Sequence, residues 1–349
     1  MSGKRTAIVT AGLAAGAVAT GIIGRTILVR RRRSDPEAGE ALAMLPPEDL
    51  GPVTSFDGTE LAVRASGDAG RPAIVFVHGF SLDMTTWHYQ WTALSGRFRC
   101  VLFDLRSHGR SAKAAAGDLS LQAMAHDLAA VIEAAVPDGP LVLVGHSMGG
   151  MTILALAESR PELFGTNVAG VAFVGTASSD LLRGAMGSVT ELLRPRLGSL
   201  TQAAQRVNRL RKAVLASPAD VGGVVARVTQ FGSDASPHLV DYVVGLAARA
   251  PSEVWTDGLA GLMDMDLRHA VQHVRAPALV VVGDHDRVTP PAAAMALAGE
   301  LPEARLEVVP GAGHMAMLEA HEAVNGLLDA FAGDVLGPKA RSNQKKKRA

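Results

Sequence analysis

Three polar residues, each in a glycine-bounded turn, have the types needed to activate an oxygen nucleophile. Ser147 lies in LVLVGHSMGG (Leu141 to Gly150), with Gly145 and Gly149 two residues either side. A serine hydroxyl attacks poorly until a base takes its proton, and the base needs an acid partner to fix its tautomer and stabilise its charged form. Of eleven histidines, only His314 sits in a glycine-rich loop, GAGHMAMLE, directly after a strand pattern and before a helical one. For the acid, Gly283-Asp284-His285-Asp286 follows the apolar run ALVVV, and two carboxylates compete. Roughly 0.2 matches to G-x-S-x-G arise by chance in a chain of this length and composition. The elements around the turns must therefore carry the argument.

Those elements alternate. Thr59 to Ala65 has period two after the Asp57-Gly58 turn, while Ala73 to His78 and Cys100 to Asp104 are continuous apolar runs ending in HGF and DLRSHGRS. Leu121 to Val136 has helical spacing, and the run at Leu141 passes through Ser147 into the helical pattern MTILALAESR. Strands follow at Val168 to Val174, Ala278 to Val282 and Leu306 to Val309, and a helix over Ala316 to Phe331 closes the body. Continuous apolar strands alternating with helices predict a mostly parallel sheet covered on both faces, with ligand sites at the strands' carboxyl ends. Each polar motif sits at such an end. From Ala177 to Asp266 the alternation stops and helical segments take over, too long an excursion for a loop, so it is expected to be a helical lid.

GHSMGG, VHGF, DLRSHGRS, GDHDRVTPP and GAGHMAMLE, in this order, resemble the α/β-hydrolase superfamily over approximately Val53 to Phe331. The resemblance implies the α/β-hydrolase fold with a helical lid inserted between two strands. It makes Ser147 the nucleophile, His314 the base and Asp286 the acid, leaving Asp284 structural and Asp180 as a fallback acid. It also implies an oxyanion hole formed by the backbone N–H groups of Phe80 and Met148. His78, His108 and His146 are expected to be structural, and Asp104, Arg106 and Arg110 to tie loops together. The substrate implied is a carboxylic ester, cleaved through an acyl-enzyme. A lipophilic one suits the apolar residues Met186, Leu246, Leu259, Leu262, Met263 and Met265 of the lid region. Cofactor-free perhydrolase or haloperoxidase chemistry and carbon–carbon bond hydrolysis use the same triad, and a non-catalytic binding protein of this fold is the alternative from another class.

Composition bounds the rest. The formal charge is zero, but residues 34–333 carry 21 basic and 33 acidic residues, a net of −12, which argues against nucleic acid as a partner. Cys100 is the only cysteine, so no intrachain disulfide forms. No H-E-x-x-H, paired C-x-x-C or P-loop is present, so neither metal nor cofactor is expected. Residues 1–33 hold seven Lys and Arg and no acid around the apolar or small stretch Thr6 to Val29, read as a membrane anchor. The arginines after it place the body in the cytoplasm, a secreted protein with a cleaved signal and a surface-lying or mobile arm being the alternatives. Gly12, Gly16, Thr20 and Gly24 share one helix face, which would allow a homo-oligomer. The expected organisation is anchor 1–33, linker 34–52, hydrolase core 53–176, lid 177–266, core 267–333 and a disordered basic tail 334–349.

Overall fold

The computed structural model describes residues 35–115, 117–179, 200–215, 221–263 and 265–337. The expected anchor with its glycine face, Asp180, Met186 and the basic tail beyond residue 337 lie outside them. Among the described residues no helix is long and apolar enough to cross a membrane.

Eight strands form one sheet: β1 (Glu48–Thr54), β2 (Glu60–Ser66), β3 (Ala73–Val77), β4 (Arg99–Phe103), β5 (Leu141–His146), β6 (Val168–Val174), β7 (Ala278–Gly283) and β8 (Ala304–Val309). Their order is β1-β2-β4-β3-β5-β6-β7-β8, with β1 and β2 antiparallel to their neighbours and the rest parallel. Each residue of β3, β4, β5, β6 and β7 is buried, which is why these strands read as unbroken apolar runs rather than alternating ones. The period of two survives in three dimensions. Val75, Val77, Val101, Phe103, Val171 and Phe173 face one core, and Ile74, Phe76, Cys100, Leu102, Ala172 and Val174 face the other.

Helices cover both faces. α1 (His88–Leu94) packs on the core that holds Cys100; α2 (Leu121–Ala135) and α3 (Met148–Ser159) pack on the opposite one. Ser120 caps α2 by accepting from the N–H of Ala123 at 3.1 Å, which fixes where that helix starts. Between β6 and β7 the chain inserts α4 (Leu200–Leu215), α5 (Val221–Gln230), α6 (Pro237–Arg249) and a π-helical turn at Val254–Gly258 that runs into Leu259–Met263. The body closes with α7 (Pro291–Glu300) and α8 (His321–Leu336).

Boundaries differ from the sequence reading in three places. β1 begins inside the stretch read as linker. Its Pro52 is compatible with an edge strand because the missing N–H costs no internal ladder bond. The helix expected over Ala316 to Phe331 is broken at Ala320 (φ −126, ψ 45), which separates the short helix Ala316–Glu319 from α8. α8 then runs on to Leu336, into the stretch read as tail.

The chain ahead of β1 is tied down. The Asp35 carboxylate accepts from the Ser236 hydroxyl and the His238 N–H, both at 2.9 Å, so it caps α6 together with Ser236 itself. The carbonyl of Glu40 meets His238 Nε2 at 3.0 Å, Glu37 bonds the Tyr89 hydroxyl, and Leu42 is buried in the core. Residues 35–42 therefore form a strap joining the insertion to the body.

Candidate active site

β5 ends at His146 and α3 begins at Met148, so Ser147 alone turns the chain. Its backbone sits at φ 50, ψ −117, a conformation that costs a side-chain-bearing residue about 1–3 kcal/mol and persists only where the surroundings impose it. They do so here. A Cβ on Gly145 would lie 2.5 Å from the Gly150 nitrogen, and one on Gly149 would lie 2.1 Å from the Val77 carbonyl oxygen, so the spacing G-x-S-x-G is a packing requirement. The Ser147 N–H donates to the Val174 carbonyl at 3.0 Å.

Asp286 follows β7 in a turn closed by its own N–H on the Gly283 carbonyl at 3.1 Å. One carboxylate oxygen accepts from the N–H groups of Val288 and Thr289, both at 2.8 Å; the other accepts from the Thr289 hydroxyl at 2.8 Å and from His314 Nδ1 at 2.9 Å. Burial alone would raise its pKa. The adjacent imidazole and the Thr289 donors outweigh that and hold the carboxyl below its usual range. The rival Asp284 is 40% exposed and accepts from the Gly311 N–H at 2.7 Å and His285 Nδ1 at 2.6 Å. The turn brings Asp286 to His314 and leaves Asp284 bracing the loop ahead of it.

His314 is held from behind by His146, whose Nε2 donates to the His314 carbonyl at 3.0 Å. Burial and the neighbouring His314 ring push the pKa of His146 down to about 3, so it stays neutral and keeps one tautomer. With Nδ1 engaged by Asp286, His314 keeps Nε2 for a nucleophile. A hydrogen bond between Ser147 and His314 is not formed among the described contacts. In sites without substrate such bonds are commonly long and tighten only on loading.

Two more histidines shape the loop after β3. Leu105 N–H donates to His78 Nε2 at 3.0 Å and His78 Nδ1 donates to the Gly79 carbonyl at 2.8 Å; Ser81 N–H donates to His108 Nε2 at 3.3 Å and His108 Nδ1 to the Arg106 carbonyl at 2.9 Å. Burial drives the pKa of His78 well below its usual value and that of His108 to about 4, so each serves as a neutral two-ended clamp. Phe80 lies between the two clamped residues, and among the described residues no loop or cap bond takes up its N–H or that of Met148. Asp104 ties the same loop to the next by accepting from the N–H groups of Met84 and Arg110, both at 2.7 Å. Arg106 reaches the other way, with Nε and Nη2 both 2.7 Å from the two oxygens of buried Asp127.

Three residues of the site were not singled out from the sequence. Thr289 donates to Asp286 and lies 3.2 Å from His314 Nδ1; its signal is a hydroxyl three residues after an Asp in a turn. Glu319 accepts from the N–H of Gly313 at 2.9 Å and of Gly232 at 2.7 Å, joining the His314 loop to the insertion. Trp255 meets the Phe80 ring edge-on at 5.1 Å, and its buried indole N–H has no partner among the described residues. Glu319 closes the stretch GAGHMAMLE, but its bond to Gly232, like the Trp255–Phe80 contact, depends on how the insertion folds back. Of the residues expected to shape an acyl pocket, Leu262 and Met265 pack in the cluster that holds Met148 and Phe80, whereas Leu246 lines a separate cavity of about 480 Å³ with Leu82, Arg110 and Arg249.

This sheet order, with a strained serine after β5 and a buried Asp–His pair after β7 and β8, can be set beside known proteins. The model of a family described as the alpha/beta hydrolase fold matches residues 72–321. The chain belongs to that family. This α/β-hydrolase is 32% identical over 272 residues to the dihydrolipoyllysine-residue acetyltransferase component of an acetoin cleaving system from Pseudomonas putida, covering 76% of this chain but only 64% of that longer protein. It is 28% identical over 254 residues to an sn-1-specific diacylglycerol lipase of Mus musculus, covering 71% of this chain and 76% of the lipase. Among solved structures, a thermophilic esterase from Thermogutta terrifontis superimposes with a TM-score of 0.66 at 26% identity, covering 82% of the hydrolase and 98% of the esterase. The hydrolase is thus an enzyme whose relatives include esterases and lipases.

Proposed function

We propose that this enzyme cleaves carboxylic esters, lipophilic ones by preference, with Ser147 as nucleophile, His314 as base and Asp286 as its acid partner. The observation that carries the reading is the 2.9 Å bond from His314 Nδ1 to buried Asp286, on the side of the ring away from the nitrogen a serine would use. His314 Nε2 takes the Ser147 proton as the oxygen attacks the ester carbonyl, and the Asp286 carboxylate stabilises the imidazolium that results. The N–H groups of Phe80 and Met148 receive the oxyanion, an interaction worth about 3–4 kcal/mol per donor in other enzymes. The imidazolium then protonates the departing alkoxide, leaving an acyl-Ser147 ester. Water, deprotonated by His314, hydrolyses that ester and restores the serine.

The helical insertion is read as a lid over this site. Residues 1–33 are read as an anchor holding the body at the cytoplasmic side of a membrane, a reading supported by their composition alone. A fluorophosphonate probe should label the full chain, with labelling lost in Ser147→Ala. Labelling that survives this substitution, or that never occurs in the folded wild type, would remove the triad assignment.

A further inference from the structure

The body of the protein is acidic, yet α4 and α5 hold five basic residues, Arg206, Arg209, Arg211, Lys212 and Arg227, and no acid. The same two helices expose Val207 (38%), Leu210 (66%), Val224 (55%), Val225 (50%) and Val228 (55%). These are five of the nine large apolar side chains left exposed among the described residues, so apolar exposure and positive charge are concentrated together. Spacings of three and four residues put Val207 with Leu210, and Val224 with Val228, on one face of each helix, and α4 packs against α5. Isolated exposed aliphatics need no explanation, but a basic, acid-free pair of helices with outward apolar stripes has the composition of an interfacial surface.

Two placements bear on what meets this surface. Inward, α4 packs on the π-helical turn whose Trp255 abuts Phe80, the Arg211 guanidinium lies 5.1 Å over the Trp255 ring, and the Gln230 carbonyl at the end of α5 accepts from the Met315 N–H at 3.2 Å, next to His314. Backwards along the chain, Asp35 caps α6, which packs on α5; the 34 residues ahead of it, apolar and basic with no acid, therefore join the protein at this insertion.

We propose that the outward faces of α4 and α5 are a docking surface for an anionic phospholipid bilayer. Valine and leucine gain nothing against nucleic-acid phosphates, and two copies of one basic face repel each other, whereas an anionic bilayer satisfies both the charge and the apolar stripes. Docking there places the bilayer against the helices that flank the candidate active site. The surface goes beyond the ester-hydrolase reading, and its test uses no turnover, so that each can fail alone.

The test is an environment-sensitive fluorophore on the full chain, attached through Leu210→Cys or Val224→Cys, with Met295→Cys on exposed α7 as the control. Cys100 is fully buried and its thiol is pushed up to about 12, so it does not compete for label. Vesicles of phosphatidylcholine with phosphatidylglycerol should blue-shift the emission at positions 210 and 224, leave 295 unchanged, and act at least tenfold more strongly than phosphatidylcholine alone. No shift at 210 and 224, an equal shift at 295, or indifference to phosphatidylglycerol would overturn the proposal. So would a shift produced by duplex DNA instead of vesicles, or one that grows with protein concentration in the absence of lipid. Val224→Glu combined with Val228→Glu should abolish the shift at 210 while leaving the unfolding temperature unchanged.

Discussion

The two carboxylates after β7 lie two residues apart and differ in what their positions ask of them. Replacing Asp286 by Asn leaves a buried group that cannot stabilise an imidazolium, so turnover on a soluble ester should fall by roughly a thousandfold or more. Asp284→Asn should cost little, and a loss at position 284 equal to that at 286 would reverse the assignment. Stability should follow pH with a definite sign. Because the folded pKa of Asp286 is depressed, its contribution is complete above the ordinary carboxylate range near 4 and disappears as pH falls through the folded value. Urea unfolding of wild type and Asp286→Asn should therefore differ most near neutral pH and converge towards pH 2. As candidates, Ser147 and His314 could be picked out from the sequence because each lies in a glycine-bounded turn at a strand end. The choice between the two acids was not, since it depends on the turn closed by the Asp286 N–H on Gly283, and only the family resemblance supplied it.

Glu319 acts between elements rather than within one. Burial pushes its carboxyl up to about 7, with Asp286 adding to the shift, although the N–H groups of Gly232 and Gly313 pull the other way. Removing the side chain orphans two N–H groups, each worth about 1–3 kcal/mol when left buried and unpaired. Glu319→Ala should lower the thermal midpoint and reduce kcat more than it raises KM, because the loop it releases carries His314. A raised pKa contributes stability at acid pH that is lost as pH climbs through about 7, so the melting temperature should fall between pH 5 and 8 in wild type and less so in Glu319→Gln. The sheet was readable at this scale because β3 to β7 are buried on both faces and announce themselves as apolar runs. β1 was not: its residues are half-exposed or exposed, it contains Pro52 and Gly51, and its partner β2 lies across a turn. The insertion could be counted as helical but not docked, because links such as the Gly232 N–H to Glu319 and the Gln230 carbonyl to the Met315 N–H use backbone groups, which a sequence does not display.

At the scale of the whole molecule, the family match starts at residue 72, whereas the fold starts earlier. The 35–42 strap and the β1–β2 pair precede that match, and they carry ion pairs from Asp49 to Arg64 and from Glu48 to Arg99 in β4. A shortened protein beginning at Asp35 keeps the strap, β1 and the contacts named for them. One beginning at Val53 loses the Asp35 cap on α6, buried Leu42 and most of β1, and it turns β2, with Leu61 and Val63 in the core, into an open sheet edge prone to pairing with other chains. It should precipitate on heating several degrees earlier, as light scattering during a thermal ramp would register. Asp35 thus opens the fastening: an enzyme cut where the family pattern begins would keep Ser147, Asp286 and His314 and lose the strap that ties the insertion to the body.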